Sequence, residues 1–169
     1  MGLAIPDALG DAVHQTVLML CGVDAHLDLG EVPESDAPAE VSGVIGFTGR
    51  ARGTINIAFP LELAAKFASL RFETSPKESS EEQLVEYMTE MTNIVAGNLM
   101  ALFNDTGEGI ETRLSLPSVI VGGHRILRSQ GDGPTENVLF ETEFGLFTAG
   151  VQLSEITAVV RSNRTDSKL

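Results

Sequence analysis

The sequence predicts an α+β domain in which long helices pack on a largely antiparallel sheet. Apolar residues recur with helical spacing in two long segments and alternate with polar residues in several shorter ones. Neighbouring alternating segments are joined by short glycine-containing turns, as in β-hairpins. The length of 169 residues is typical of one domain, which we place at 1–161, with a short polar tail at 162–169.

Composition and charge limit the possible functions. The formal net charge of −13 provides no basic surface for a phosphate backbone, so we expect no nucleic-acid partner. No apolar run approaches the ~18–20 residues of a membrane span. No Lys or Arg precedes Arg50, unlike secretory and mitochondrial leaders, and one cysteine with three histidines does not suit a four-ligand metal site. We therefore expect a cytoplasmic protein without membrane association and without a metal site.

The first elements are a helix and a strand. Pro6 at the start, Asp7 in the first turn and Gly22 at the end predict a helix over 6–21. Alternating apolar residues predict a half-buried strand over 23–29. The segment 31–39 is rich in proline and acidic residues, so we expect a loop there.

The middle of the chain predicts a hairpin followed by two helices. Strands over 40–48 and 53–59 flank a glycine-rich turn; a phosphate-binding glycine loop would be followed by a helix, whereas here a strand follows. A short helix is expected from Pro60 to about residue 70. Ser79-x-x-Glu82 predicts a capping box at the start of the longest helix, which ends near residue 103. Three further strands are expected near 111–121, 136–145 and 147–153.

The longest helix has two distinct faces at about 100° per residue. One face is an apolar stripe that we expect to contact the sheet. It consists of Leu84, Met88, Met91, Val95, Leu99 and Leu102. Glu86, Glu90, Asn93 and Gly97 follow the spacing i, i+4, i+7 and i+11 on the opposite face, which we expect to be exposed to solvent.

The outer face is poor in the long polar residues of an ordinary solvated helix. Ala96 and Met100, together with Thr89, flank the line that ends at Gly97, and this glycine costs roughly 1 kcal/mol relative to alanine. Such a surface suits the close approach of another protein, although a solvated face with a stray glycine accounts for the same residues. Asn98 lies toward the core, where an amide needs partners, and is interpreted as a structural bridge to a loop or strand.

The same helix resembles a known family signature. Glu90-Met-Thr-Asn93, continued as Ile-Val-Ala-Gly97-Asn98, resembles the E-x-x-N…GN signature of the CheX branch of the CheC/CheX/FliY phosphatases. Leu116-Pro117-Ser118 is similar to the proline segment of this family, and residues 41–49 and 53–60 resemble its strand pair and helix entry. The resemblance extends over about residues 6–154 in the right order, and it implies a fold related to the FliM middle domain.

The resemblance also implies an activity. Members remove the phosphoryl group from the aspartate of a response-regulator receiver domain, such as CheY in chemotaxis. By resemblance, Asn93 would orient the attacking water and Glu90 would contact the lysine of the receiver. Mg²⁺ would belong to the receiver, so the chain would need no cofactor of its own. The surrounding docking surface would consist of Glu86, Thr89, Ala96, Gly97 and Met100.

Two positions of this chain depart from the signature of the family. Glu86 stands where the family often has Asp or Ser, and the first helix offers only Asp11-Ala-Val-His14 in place of a second signature, so a single site is predicted.

CheX-type members are commonly homodimers formed through their sheets. The region containing Phe140, Phe144 and Phe147 could supply such an edge or equally belong to the monomer core.

Three functional hypotheses follow from the sequence. The first is a phosphatase acting on a CheY-like receiver, and the second is the same activity toward a receiver of another pathway. The third is a non-catalytic module that binds a receiver, as the FliM middle domain shares this fold without the activity. The Glu90/Asn93 pair favours a phosphatase, because a binding module has no need for both residue types.

Overall fold

Along the described chain, one helix is followed by three strands, then by two helices and then by four strands. The computed structural model describes residues 4–28, 40–49, 51–104, 112–122 and 135–156. Within these ranges the helices are α1 (Ile5–Cys21), α2 (Leu61–Phe72) and α3 (Glu81–Asn104), with a 3-10 turn at Pro76–Glu78. The strands are β1 (His26–Asp28), β2 (Glu40–Thr48), β3 (Ala51–Pro60), β4 (Arg113–Leu114), β5 (Ser118–Val121), β6 (Thr135–Thr142) and β7 (Gly145–Ile156). The predicted loop at 31–39 and tail at 162–169 lie outside the described residues.

All described strands join one antiparallel sheet, which confirms the predicted α+β class. Its order is β1-β6-β7-β3-β2, and both β4 and β5 pair with the remaining edge of β2. The hairpin predicted in the middle of the chain is present as β2–β3, and β6 and β7 form a second hairpin. Gly145, at the second hairpin, has a φ of 145°, which side-chain-bearing residues rarely adopt.

The strand expected over 111–121 is divided into β4 and β5. Pro117 lacks an N–H group and cannot donate to the ladder. Beside it, the N–H of Ser115 donates to the Gly46 carbonyl at 2.9 Å, and the Gly46 N–H donates to Ser115 Oγ at 2.9 Å. A side-chain hydroxyl thus replaces a regular ladder contact, so the prediction of one continuous strand was wrong.

The start of α3 differs by one residue from the predicted capping box. Ser80 is the N-cap, because its Oγ accepts a hydrogen bond from the Gln83 N–H at 3.2 Å and its carbonyl accepts one from the Leu84 N–H at 3.1 Å. Ser79 Oγ instead donates to the carbonyl of Ala65 at 3.4 Å. The predicted cap at Ser79 was therefore wrong, since a contact with α2 occupies that hydroxyl.

The three helices and alternate residues of the strands enclose one hydrophobic core. The predicted stripe of α3 is buried in it, except for the half-buried Leu102. Phe140 and Phe147 are also core residues and stack with a centroid distance of 5.1 Å, whereas Phe144 is 41% exposed. Two of the three phenylalanines considered for an edge between subunits are therefore monomer core.

A close approach between α3 and β2 sets the height of the long helix above the sheet. Thr92 is fully buried and lies against Gly43 of β2, where an added Cβ would meet the Thr92 hydroxyl oxygen and would lie 3.1 Å from Thr92 Cβ. Only glycine leaves this space free. Gly43 therefore determines how near α3 sits to β2.

None of the described helices is long and apolar enough to cross a membrane. The longest, α3, has 24 residues, but it carries acidic side chains at Glu81, Glu82, Glu86 and Glu90. Any segment of this helix that is long enough to span a membrane therefore contains at least one of these carboxylates.

Candidate functional site

Helix α3 is held by contacts with the sheet and with both other helices. Thr92 packs on β2, and Asn98 Nδ2 donates to Thr16 Oγ1 of α1 at 3.2 Å. Tyr87 meets Phe67 of α2 edge to face, with a centroid distance of 6.4 Å and an interplanar angle of 78°. A helix fixed by so many contacts is a rigid support for functional side chains.

One narrow strip of α3 stays accessible. Glu86, Asn93 and Gly97 are exposed, and the Glu90 side chain is 30% exposed. Their positions follow the i, i+4, i+7, i+11 line read from the sequence, which places all four on one side of the helix. We call these four residues the outer strip.

The flanks of the outer strip differ from expectation. Ala96 is fully buried and Met100 is 7% exposed, so neither can belong to an exposed docking surface, and this prediction was wrong. Thr89 is half-buried, and its Oγ1 donates to the Val85 carbonyl at 2.7 Å. The helical projection assumed that only the sheet covers α3. Because α1 and α2 also contact the helix, its buried arc is wider.

The two signature residues are in contrasting states. Glu90 is bound by Arg71 of α2 in a bidentate ion pair, Nε to Oε2 at 3.1 Å and Nη2 to Oε1 at 2.9 Å. Asn93 is exposed, and its side chain makes no hydrogen bond with any residue that the structure describes. The amide is therefore available to a ligand, whereas the carboxylate is already oriented.

Arg71 is the site residue that the sequence analysis missed. It lies in the last turn of α2, where a cation is favourable at the carboxyl end of a helix. The pKa of Arg71 is raised, mainly by the hydrogen bonds it donates to Glu90. It is 19 residues from Glu90 along the chain, so no helical spacing connects the two, and only the packing of α2 on α3 brings them together.

Asn98 is a structural bridge, but its partner differs from the one expected. The amide joins α3 to helix α1, through Thr16, and not to a loop or strand. Thr16 Oγ1 in turn donates to the Ala12 carbonyl at 2.7 Å. This chain of hydrogen bonds satisfies polar groups in a half-buried region between two helices.

The corresponding part of α1 carries no comparable exposed pair. Asp11 is exposed, but His14 is half-buried and its Nδ1 donates to the Ala25 carbonyl at 2.9 Å. The His14 ring also stacks on His26, with a centroid distance of 5.7 Å. Within the described ranges, no three His, Cys, Asp or Glu side chains converge in a way that could hold a metal ion.

A buried cluster lies one turn before Glu90 on α3. The Tyr87 hydroxyl donates to Met91 Sδ at 3.3 Å and accepts a weak bond from Cys21 Sγ at 3.6 Å. Burial raises the pKa of Tyr87 well above its ordinary value of 10.0, and burial also raises the pKa of Cys21 above 9.0. Both groups are therefore protonated in the folded protein at neutral pH.

This cluster predicts that the fold loses stability in alkali. The unfolded chain releases both protons at a lower pH than the folded chain. The contribution of the two protonated groups to the free energy of unfolding is therefore complete below pH 9.0 and declines as the pH rises. Tyr87→Phe should change the free energy of unfolding at neutral pH by less than about 1 kcal/mol, because the hydroxyl has only sulfur partners. Thermal unfolding should show the variant as the more stable protein above about pH 10. Parallel pH profiles of the two proteins would contradict this explanation.

Solved structures of several related proteins share this fold. CheX from Desulfovibrio desulfuricans has a TM-score of 0.76 at 21% identity, covering 89% of this chain and 99% of that one. The CheX–CheY–BeF3–Mg²⁺ complex from Borrelia burgdorferi gives 0.70 at 21% identity, covering 88% and 97%. The FliM middle domain from H. pylori gives 0.59 at 10% identity, covering 90% and 89%. At such identities the likeness shows a common fold.

Sequence comparison is more specific than these structural matches. No curated protein matches the chain. The family model described as chemotaxis phosphatase CheX matches residues 41–141, a range that includes β2 except for its first residue, β3, α2 and the whole of α3 with the outer strip. This match covers more than half of the 169 residues. The chain therefore belongs to the CheX family of chemotaxis phosphatases.

Proposed function

We propose that this chain is a protein phosphatase that hydrolyses the aspartyl phosphate of a CheY-like receiver domain. In this proposal Asn93 positions the attacking water and Glu90 contacts the lysine of the receiver. Membership of a family described as a chemotaxis phosphatase supports the reaction class. The CheX–CheY complex from Borrelia burgdorferi supports a receiver as the partner.

One observation carries the proposal further than family membership. Asn93 presents a side-chain amide at the surface of a rigid helix, without a hydrogen-bond partner in the described part of the fold, one turn from the oriented carboxylate of Glu90. An amide without a partner contributes nothing to the stability of the helix, where asparagine is also a poor residue. Its presence is therefore best explained by a ligand.

The chemistry requires little more than such an amide. Water attacks phosphorus, the bond between phosphorus and the aspartate oxygen breaks, and the carboxylate leaves without needing a proton, since its basicity is low. An asparagine side chain can accept a hydrogen bond from the water through its carbonyl and can donate through its NH₂ group. Holding water in line with the leaving oxygen lowers the entropic part of the barrier, and no shifted pKa is required.

The remaining strip residues are assigned to docking. Glu86 and Gly97 are accessible at the two ends of the outer strip. A Cβ added at Gly97 would meet no atom of the chain within 4 Å, so the fold itself leaves room for an alanine there. Because Gly97 has no side chain, the helix surface is flat at this position, and another protein can approach the helix backbone closely.

Further assignments follow from the resemblance to the family. We propose that the Mg²⁺ for the reaction is bound by the receiver and that the chain needs no cofactor of its own. A homodimer is proposed on the same basis. Its interface would have to use surface other than Phe140 and Phe147, because both are buried in the monomer.

The direct test is the decay of phosphorylated receivers encoded in the same genome, measured with and without substoichiometric amounts of this protein. A shorter lifetime of at least one receiver, with several turnovers per molecule, would support the phosphatase. Binding of a receiver without any change in its lifetime would instead favour a non-catalytic module of the FliM type, whose fold this chain shares. The receiver that responds would identify the pathway.

A further inference from the structure

We infer that Arg71 is a positioning residue that presents the Glu90 carboxylate to the cation of the partner. The inference rests on the proposed function and adds a residue of α2 to the site. Its basis is the bidentate pair between the two helices, in which both guanidinium bonds are 3.1 Å or shorter. A fork of this kind fixes the plane of a carboxylate as well as its position.

The pair rests on a rigid support. Arg71 follows Phe67 by four residues on α2, and Glu90 follows Tyr87 by three on α3, so each charged residue lies one turn beyond an aromatic residue of the core. Phe67 and Tyr87 are both fully buried and in mutual contact. The aromatic contact therefore sets the helix separation at which the guanidinium and the carboxylate meet.

The bound carboxylate keeps capacity for a second cation. Each carboxylate oxygen has two lone-pair positions, and Arg71 uses one hydrogen bond on each. The Glu90 side chain is 30% exposed, so an ammonium group can approach from outside. A pre-oriented acceptor loses less rotational freedom when the partner binds.

Arg71 also offsets repulsion along α3. Glu86 and Glu90 are like charges at i and i+4, a spacing that is unfavourable on a helix. The negative charge of Glu86 acts on Arg71 in addition to that of Glu90. Without the guanidinium, Glu90 would be repelled by Glu86 and free to rotate, and the carboxylate would occupy the partner-facing position less often.

The test is a double-mutant cycle on receiver dephosphorylation. Arg71→Gln should lower the second-order rate constant about fivefold. This factor corresponds to the upper end of the interaction energies found for exposed ion pairs with good geometry. Arg71→Lys should give an intermediate rate, since it keeps the charge but loses the fork. In a Glu90→Gln background, Arg71→Gln should have no further effect, because its action passes through the carboxylate. Lys77→Gln removes the same charge from an exposed position six residues further along the chain and is the control for net charge.

Each other outcome contradicts the inference. Equal slowing in both backgrounds would mean that Arg71 supports the fold or the docking directly, and a faster Arg71→Gln variant would mean that Arg71 withholds Glu90 from the partner. An unchanged rate, or the same loss in Lys77→Gln, would also overturn it. If the wild type fails to shorten the lifetime of any receiver, the proposed function fails and this inference with it. An active wild type with an unaffected Arg71→Gln variant refutes only the positioning role.

Discussion

Replacing Asn93 with alanine should slow receiver dephosphorylation by about 100-fold or more, equivalent to about 2.7 kcal/mol of activation free energy. The amide is the group that we assign to the attacking water, and no other described side chain of the outer strip offers both a donor and an acceptor. The measurement is the decay of phosphorylated receiver at saturating and at limiting receiver concentrations. Loss of a group that acts only on the water should lower kcat and leave KM nearly unchanged.

The structure offers a matched control on the same helix. Asn93 is exposed and Asn98 is half-buried and bonded to Thr16. Asn93→Ala should therefore leave the free energy of unfolding within about 0.5 kcal/mol of the wild type. Asn98→Ala should lower it by about 1 kcal/mol and keep most of the activity, since it breaks a structural hydrogen bond. Equal decay with the wild type and with Asn93→Ala would remove the catalytic assignment.

Gly43→Ala should destabilise the fold by about 2 kcal/mol, a typical penalty for a methyl group without space. Its Cβ would meet the hydroxyl of Thr92, and rotation of that side chain cannot move Thr92 Cβ, which would be 3.1 Å away. The helix would have to rise from β2, and Asn93 would be displaced with it. Urea unfolding and receiver dephosphorylation of the same samples measure both effects.

Gly97, which lies on α3 and not on β2, provides the comparison. Gly97→Ala should raise stability by about 0.5–1 kcal/mol, since alanine is a better helix residue and the added methyl group meets no atom of the chain. Thr92→Ala should recover part of the stability lost in Gly43→Ala, because it removes the clashing hydroxyl. The explanation would be wrong if Gly43→Ala were as stable as the wild type, or if Thr92→Ala gave no recovery in that background.

Elements that depend on local pattern were predictable. The bounds of α1, β2 and α3 agree with the sequence within one residue or two, because proline, glycine and the period of apolar residues mark them. Errors arose where another part of the chain intervened. Ser79 contacts Ala65 of α2 and does not cap α3, and the strand expected over 111–121 is divided where Ser115 bonds to Gly46 of β2, two residues before Pro117.

The candidate site shows the same division. The direction of the outer strip followed from helical spacing, since an isolated helix already defines which residues share a side. The width of the outer strip did not follow from helical spacing, because Ala96 and Met100 are buried through the packing of α3 within the fold. Spacing along one helix gives no information about which neighbours cover its flanks.

The sequence alone therefore determined the fold class, the family signature and the side of α3 that carries Glu90 and Asn93. The net charge of −13 is a sum over the chain and gives no information about which acids are paired with bases. Only the tertiary structure decided that Glu90 is held by Arg71 while Asn93 is free of intramolecular bonds in the described fold. The physical reason is that ion pairs and burial depend on distances between separate elements, which are set by core packing and not by local spacing.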